Sequence, residues 1–219
     1  MKNKVVITGS TGMVGSIVLQ LCLDSNEVSE IIALVRKPTN IQHPKYKEVI
    51  VADFLHYQDQ ASLFNDVNIV YYCLGAYTGS VPADEFRIIN YDYPLNLAKV
   101  IHEKSNNATF CLLSGQGADR TEKSTMQFAR DKGAIENALS ALHFGSFYSF
   151  RPGYIYPTKK RKEPNTFYVI SRMVYPLLKL MGKSLSITDQ QLAKTIFHVG
   201  LNGYSKEILE NKDMRFIQL

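Results

Sequence analysis

The sequence predicts an α/β fold, a doubly wound parallel sheet carrying a small C-terminal helical cap. Two observations lead there. Short β-branched runs alternate with helix-spaced apolar stripes over the first 156 residues, the pattern of a parallel sheet covered by helices on both faces. The first run, Val5-Val6-Ile7-Thr8, also passes straight into Gly9-Ser10-Thr11-Gly12-Met13-Val14-Gly15 and then into a helix face formed by Met13, Val14, Ile17, Val18, Leu21 and Cys22. No repeat of fixed period interrupts this order.

Strand, glycine turn and helix in that sequence bring main chain close to an anion at a helix N-terminus, where free N–H groups and the positive dipole end meet a diphosphate. Gly9 permits the turn, Gly12 removes a side chain that would block the phosphate, and Gly15 lets helix and strand approach. Ser10 and Thr11 add hydroxyls, and Met13 and Val14 complete the loop. Ile31 to Val35 reads as the second strand and runs into Arg36-Lys37. No carboxylate stands there to accept a ribose 2′-OH, and a basic pair suits a 2′-phosphate, so NADP(H) is favoured over NAD(H).

The third strand, Val49 to Ala52, ends in Asp53-Phe54, placed either to flank an adenine or to make a local Asx turn. Val67 to Gly75 is the fourth strand. Its Cys73-Leu74-Gly75 end lies where open parallel sheets bind ligands, with Gly75 admitting the nicotinamide half. A helical stripe follows (Phe86, Ile89, Tyr93, Leu97, Val100), then a strand from Thr109 to Ser114, the loop Gly115 to Asp119 and a helix bearing Phe128, Ile135, Leu139 and Leu142. Phe147 to Phe150 is the sixth strand, and Arg151-Pro152-Gly153-Tyr154-Ile155-Tyr156 extends from it along the same edge. Beyond Pro157 come the basic run Lys159 to Lys162, a helix around 167–181, another from Gln190 and a strand-like Met214 to Ile217. One domain is expected over 1–219, with a core of 1–156 and a pocket-shaping cap of 157–219.

Composition narrows the function classes. Cys22, Cys73 and Cys111 lie inside apolar runs without C-x-x-C pairing, as in a reduced, cytoplasmic protein. No signal peptide or membrane-spanning run is expected. The net charge of +5 fits an anionic ligand without requiring nucleic acid. The five histidines lack metal-ligand spacing, so no metal is expected. Leu113-Ser114-Gly115 is not a nucleophile elbow, and Met13-Val14 stand where a phosphate-binding ATPase needs Lys and Ser/Thr. A small-molecule substrate fits this profile, whereas any protein partner and the oligomeric state stay open.

With those residues placed, the chain resembles the short-chain dehydrogenase/reductase superfamily, in its atypical branch that includes the Tat-interacting protein oxidoreductases. The matches run in order: Thr8-Gly9-x-x-Gly12-x-x-Gly15, Cys73-Leu74-Gly75, Asp92-Tyr93, Leu112-Leu113-Ser114, Gly117-Ala118-Asp119, Lys132-Gly133, Phe150-Arg151-Pro152-Gly153 and Leu209-Glu210-Asn211-Lys212. The resemblance implies a Rossmann sheet of about seven strands that binds NADP(H). It also implies a Ser, Tyr and Lys centre, with Tyr-x-x-x-Lys on one helix face and the lysine lowering the tyrosine pKa while holding the nicotinamide ribose.

Here that segment reads Phe128-Ala129-Arg130-Asp131-Lys132, so the lysine is present and the phenol is not. Ser114 matches the serine region, with Gly115 where relatives carry a second serine. Losing a general acid costs on the order of a hundred- to ten-thousandfold in rate. Three outcomes follow. Hydride passes to a quinone- or flavin-like acceptor that takes its proton from water; or Tyr154 or Tyr91 substitutes, reopening carbonyl chemistry; or the chain is a non-catalytic NADPH-binding regulatory or interaction module.

Overall fold

The computed structural model describes residues 2–159, 185–215 and 217. The β-branched runs become β1 (Asn3–Thr8), β2 (Val28–Val35), β3 (Tyr46–Ile50), β4 (Ile69–Tyr72), β5 (Thr109–Leu113) and β6 (Ser146–Arg151). Between them stand α1 (Gly15–Asp24), a 3₁₀ stretch (Gln58–Phe64), α2 (Ala83–Arg87), α3 (Tyr93–Lys104) and α4 (Gln127–Ser140). After β6 follow β7 (Tyr154–Tyr156), β8 (Ser186–Thr188), α5 (Asp189–Asn202), β9 (Ile208–Glu210) and the short α6 (Asn211–Met214). All pairings are parallel, in the order β3-β2-β1-β4-β5-β6-β9, with β7 and β8 forming a separate parallel pair. The strand order reverses between β1 and β4, and a doubly wound sheet opens its ligand crevice at that point, outside the strands' carboxyl ends.

Period-two alternation sorts the strand residues to the two faces. Val5 and Ile7 pack with Val18, Leu19 and Cys22 of α1 and Leu192, Ile196 and Val199 of α5. Val6, on the other face, joins Leu97 and Ile101 of α3, Ile135 and Leu139 of α4, and Phe64. Both layers exclude water almost completely, which accounts for the near-continuous apolar character of β1 and β4.

The stripe from Phe86 to Val100 is one helical rod with a wide turn in it. Residues Ile88–Asp92 form a π-turn closed by Tyr93 N–H donating to the Ile88 carbonyl. Pro94 supplies the cause: it has no N–H to give Asn90, and its ring would strike the Asn90 carbonyl in a regular α-turn. The widening leaves Asn90 1% exposed, on the side facing the end of β4.

Three local expectations shift. The third strand is Tyr46–Ile50, beginning and ending earlier than Val49 to Ala52. The seventh sheet strand is Ile208–Glu210, not Met214 to Ile217: a capping box between Glu210 and Asp213 starts a helix at Asn211, and Met214 is buried within it. The C-terminal part thus adds β9 to the main sheet beside its helices. The helix expected around 167–181 and residues 160–162 of the basic run lie outside the described residues.

Candidate functional site

The turn after β1 is set by backbone geometry that only glycine satisfies. Gly9 has φ +67°, and a Cβ there would stand 2.6 Å from the Cys73 carbonyl; one on Gly15 would stand 2.2 Å from the Gly9 oxygen. Gly12 N–H donates to the Gly9 carbonyl at 2.8 Å, and Ser16 N–H to Gly12 at 3.0 Å, closing the loop onto α1. The N–H groups of Thr11, Met13 and Val14 find no acceptor among the described residues, and no acidic side chain stands in the first turn of α1. The buried hydroxyls of Thr8 and Ser10 lack hydrogen-bond partners as well. Orphaned donors at a helix N-terminus fit a diphosphate.

Beside this turn lies a cavity of about 530 Å³ lined by Gly9, Ser10, Thr11, Phe54 and Leu74, with Leu34 through Thr39 as its far wall. The structure thus gathers seven expected residues, among them Arg36 and Lys37, and adds Leu34, Val35, Pro38 and Thr39. Arg36 and Lys37 are exposed and form no ion pair or hydrogen bond among the described residues. Asp53 makes the Asx turn: it accepts from Leu55 N–H at 2.8 Å and meets His56 Nδ1 at 2.8 Å, and the Leu55 bond, then His56, hold its carboxyl below the usual range. Phe54 lines the cavity and Asp53 does not.

At the end of β4, Cys73 is wedged against Gly9 and Gly15, and the next glycine opens a second polar group. A Cβ on Gly75 would lie 3.1 Å from Asn90 Oδ1 and 3.8 Å from Lys132 Nζ. Lys132 is 5% exposed and has no hydrogen-bond or ion-pair partner among the described residues, and burial pulls its ammonium down to about 8. Asn90 donates to the Phe86 carbonyl at 3.0 Å, while its Oδ1 is buried without a partner among the described residues. Asn90 escaped notice because its only sequence mark is a polar residue beside an apolar helical stripe.

Ser114 faces another way. Its hydroxyl donates to Glu136 Oε1 at 2.7 Å, and the same oxygen accepts from Ser149 Oγ at 2.7 Å and Arg151 Nε at 3.0 Å. Arg151 Nη2 and Arg120 Nε close on Glu136 Oε2 at 2.5 and 3.3 Å, and the two arginines continue to Glu210 and Glu207. Burial would raise the Glu136 pKa, yet the Arg151, Ser114 and Ser149 bonds outweigh it and hold the carboxyl low.

Where a phenol is missing, the Phe128 ring leans on Gly115: a Cβ on that glycine would sit 2.6 Å from Cζ. Ring and missing side chain fit each other. Tyr91 lies under the Arg87 guanidinium at 4.4 Å, and Arg87 is held by Asp131 at 2.7 Å. Pro152, Gly153 and Tyr154 stand at the ends of β6 and β7, with the Pro152 carbonyl taking Gln116 N–H and Gly153 N–H bound to Asn211 Oδ1. None of the three lines the cavity.

A nucleotide cradle at the switch point of a doubly wound sheet defines the class, and sequence comparison defines the family. Residues 5–186 match the profile of the NAD dependent epimerase/dehydratase family, so the chain belongs to that family, as an atypical member of the short-chain dehydrogenase/reductase superfamily. It is 29% identical to Protein HTATIP2 of Rattus norvegicus over 167 residues, covering 75% of this chain and 68% of that protein. It is 25% identical over 214 residues to Protein fmp52, mitochondrial, of Emericella nidulans, covering 93% and 90%. The fold is shared with the Bordetella bronchiseptica enzyme WbmH, solved in complex with NAD+, at a TM-score of 0.70 and 16% identity over 96% of this chain and 75% of that one. No helix among the described residues is long and apolar enough to cross a membrane.

Proposed function

We propose that this chain is an NADP(H)-dependent oxidoreductase acting on small acceptors of quinone or flavin type. One observation carries the reading: a cradle of N–H groups and the Lys132 ammonium, without partners among the described residues, lie along one sheet edge, with Arg36 and Lys37, likewise unpaired among them, at its far end. In this reading Gly9 to Gly15 hold the diphosphate, Arg36 and Lys37 take the 2′-phosphate, and Phe54 and Leu74 wall the cavity. Lys132, beside Gly75, holds the nicotinamide ribose, and Gly153 and Tyr154 border the substrate. The reduced nicotinamide, when bound, supplies hydride, and that transfer needs mainly orientation from the protein. Phe128 has no proton to give and Ser114 donates its own to Glu136, so acceptors that collect their proton from water are served best.

The fit of Phe128 against Gly115 favours a second reading, a non-catalytic NADPH-binding regulatory or interaction module. Calorimetric titration with both cofactors and NADPH oxidation against quinones, flavins and aldehydes separate the two. Turnover with quinones or flavins supports the reductase. Tight binding with no turnover supports the module, and aldehyde turnover abolished by Tyr154→Phe would assign the proton to that phenol. Arg36→Ala is expected to remove most of the preference for NADPH; equal affinities of the unaltered protein for NADPH and NADH refute the assignment of Arg36. The three unbridged thiols accord with a reducing compartment, for which we take the cytoplasm. Co-fractionation with mitochondria, in line with the name of the Emericella relative, would overturn that.

A further inference from the structure

The far wall of the cavity is a loop, Arg36 to Thr39, and something must hold it. Two of its four residues, Arg36 and Lys37, are exposed cations that offer little apolar packing to fix it over an open cleft. The anchor comes from β3. Thr39 N–H donates to Glu48 Oε2 at 3.0 Å, the Thr39 hydroxyl donates to the same oxygen, and Tyr46 O–H reaches it at 3.1 Å. Thr39 Oγ1 and Tyr46 Oη are themselves 3.1 Å apart, so the cluster is closed. Tyr46 and Glu48 are two apart on β3 and therefore share a face. The Thr39 hydroxyl, ahead of any other influence, holds the Glu48 carboxyl below its usual range.

That arrangement has an electrostatic result. A carboxylate close to a ribose end would ordinarily accept the 2′-OH of a dinucleotide and repel a 2′-phosphate. Here one of its oxygens already accepts three bonds, while Arg36 and Lys37, three and two residues before Thr39, have no anionic partner among the described residues. The same bonds that anchor the loop take up the carboxylate oxygen that would otherwise be open to a ribose hydroxyl.

We infer that Glu48 is a specificity-setting positioning residue: by binding the Thr39 amide and hydroxyl it fixes the Arg36–Thr39 wall and leaves the two cations to select a ligand bearing a 2′-phosphate. The inference rests on the proposed assignment of Arg36 and Lys37. It names a residue on a different strand, outside the cavity lining, as the one that makes them effective.

Calorimetric titration of NADP+ and NAD+ into the unaltered protein, Glu48→Ala, Glu48→Gln and Thr39→Val tests it without any turnover. Glu48→Ala is expected to weaken NADP+ at least about tenfold and NAD+ less than about threefold, because the Gly9–Gly15 cradle is untouched. Glu48→Gln keeps an acceptor oxygen for Thr39 and holds both affinities within about threefold of the unaltered protein. Thr39→Val loses one of two loop bonds and falls between them. If Glu48→Ala weakens both ligands alike, or neither, the inference is overturned while the assignment of Arg36 stands. If the unaltered protein has no preference for NADP+, both fall together.

Discussion

Replacing Glu136 with Gln keeps the side chain's volume and removes its charge, and the structure sets the size of the effect. The carboxylate is fully buried and accepts from Ser114, Ser149 and both ends of Arg151, with Arg120 Nε 3.3 Å away. A glutamine retains one acceptor oxygen but turns an NH₂ toward the Arg151 guanidinium, donor against donor. Breaking a buried ion pair on one side costs about 3 to 5 kcal/mol. For a chain of this length that lowers Tm by roughly 6 to 20 °C.

The loss should also depend on pH. Glu136 has a folded pKa below its usual 4.5, so its contribution is complete above that value and fades as pH falls through the folded pKa. The two proteins therefore converge in acid, and the variant's stability curve is flatter there. Thermal melts followed by circular dichroism from pH 3 to pH 8 measure both effects. Adding Arg151→Met to Glu136→Gln should cost less than the sum of the single changes, since the guanidinium left with Glu210 as its only carboxylate partner among the described residues goes with the charge it lost. A loss under about 1 kcal/mol at pH 7, or strict additivity, would refute the view that this network joins α4, β5, β6 and β9.

Two further outcomes are expected. Lys132→Met should raise Tm at pH 7 while weakening NADP+ binding: a fall from 10.5 to about 8 corresponds to roughly 3 kcal/mol of burial penalty. By the same sign, the unaltered protein gains stability from this group as pH rises from about 8 toward 10.5, and a Lys132→Met variant that melts earlier would rule this out. Gly9→Ala combines a left-handed φ with a 2.6 Å clash against the Cys73 carbonyl, so it should abolish measurable nucleotide binding and cost at least about 2 kcal/mol in urea unfolding. An alanine variant that binds normally would show that the turn tolerates a side chain.

How far the residues could be read in advance varied with the range of the interactions. The loop from Gly9 to Gly15 was legible because its chemistry is local: strand, turn and helix are contiguous, and each glycine answers to an atom in the turn or in the adjacent strand end. Arg36, Lys37, Phe54 and Leu74 could be singled out because they lie at strand ends, and the four line one cavity. Asp53 was legible only as a choice between two roles, and the Leu55 and His56 contacts are those of the local turn. The seventh strand was misplaced because Ile208–Glu210 is three residues long and forms only where β6 offers it an edge. Asn90 was invisible because its burial follows from a proline four residues on.

The run of amino acids alone determined that a tight glycine turn into a helix would follow the first strand, that helices would cover both faces of a parallel sheet, and that the helix bearing Lys132 would carry no tyrosine one turn earlier. These follow from periodicity and backbone freedom, which act over a few residues. The fold decided the partners: that Ser114 spends its proton on Glu136 across 22 residues, that Lys132 stands beside Gly75 with no partner among the described residues, and that Glu48 holds Thr39. Such pairings depend on where strands and helices come to rest against one another, and only tertiary packing sets those distances.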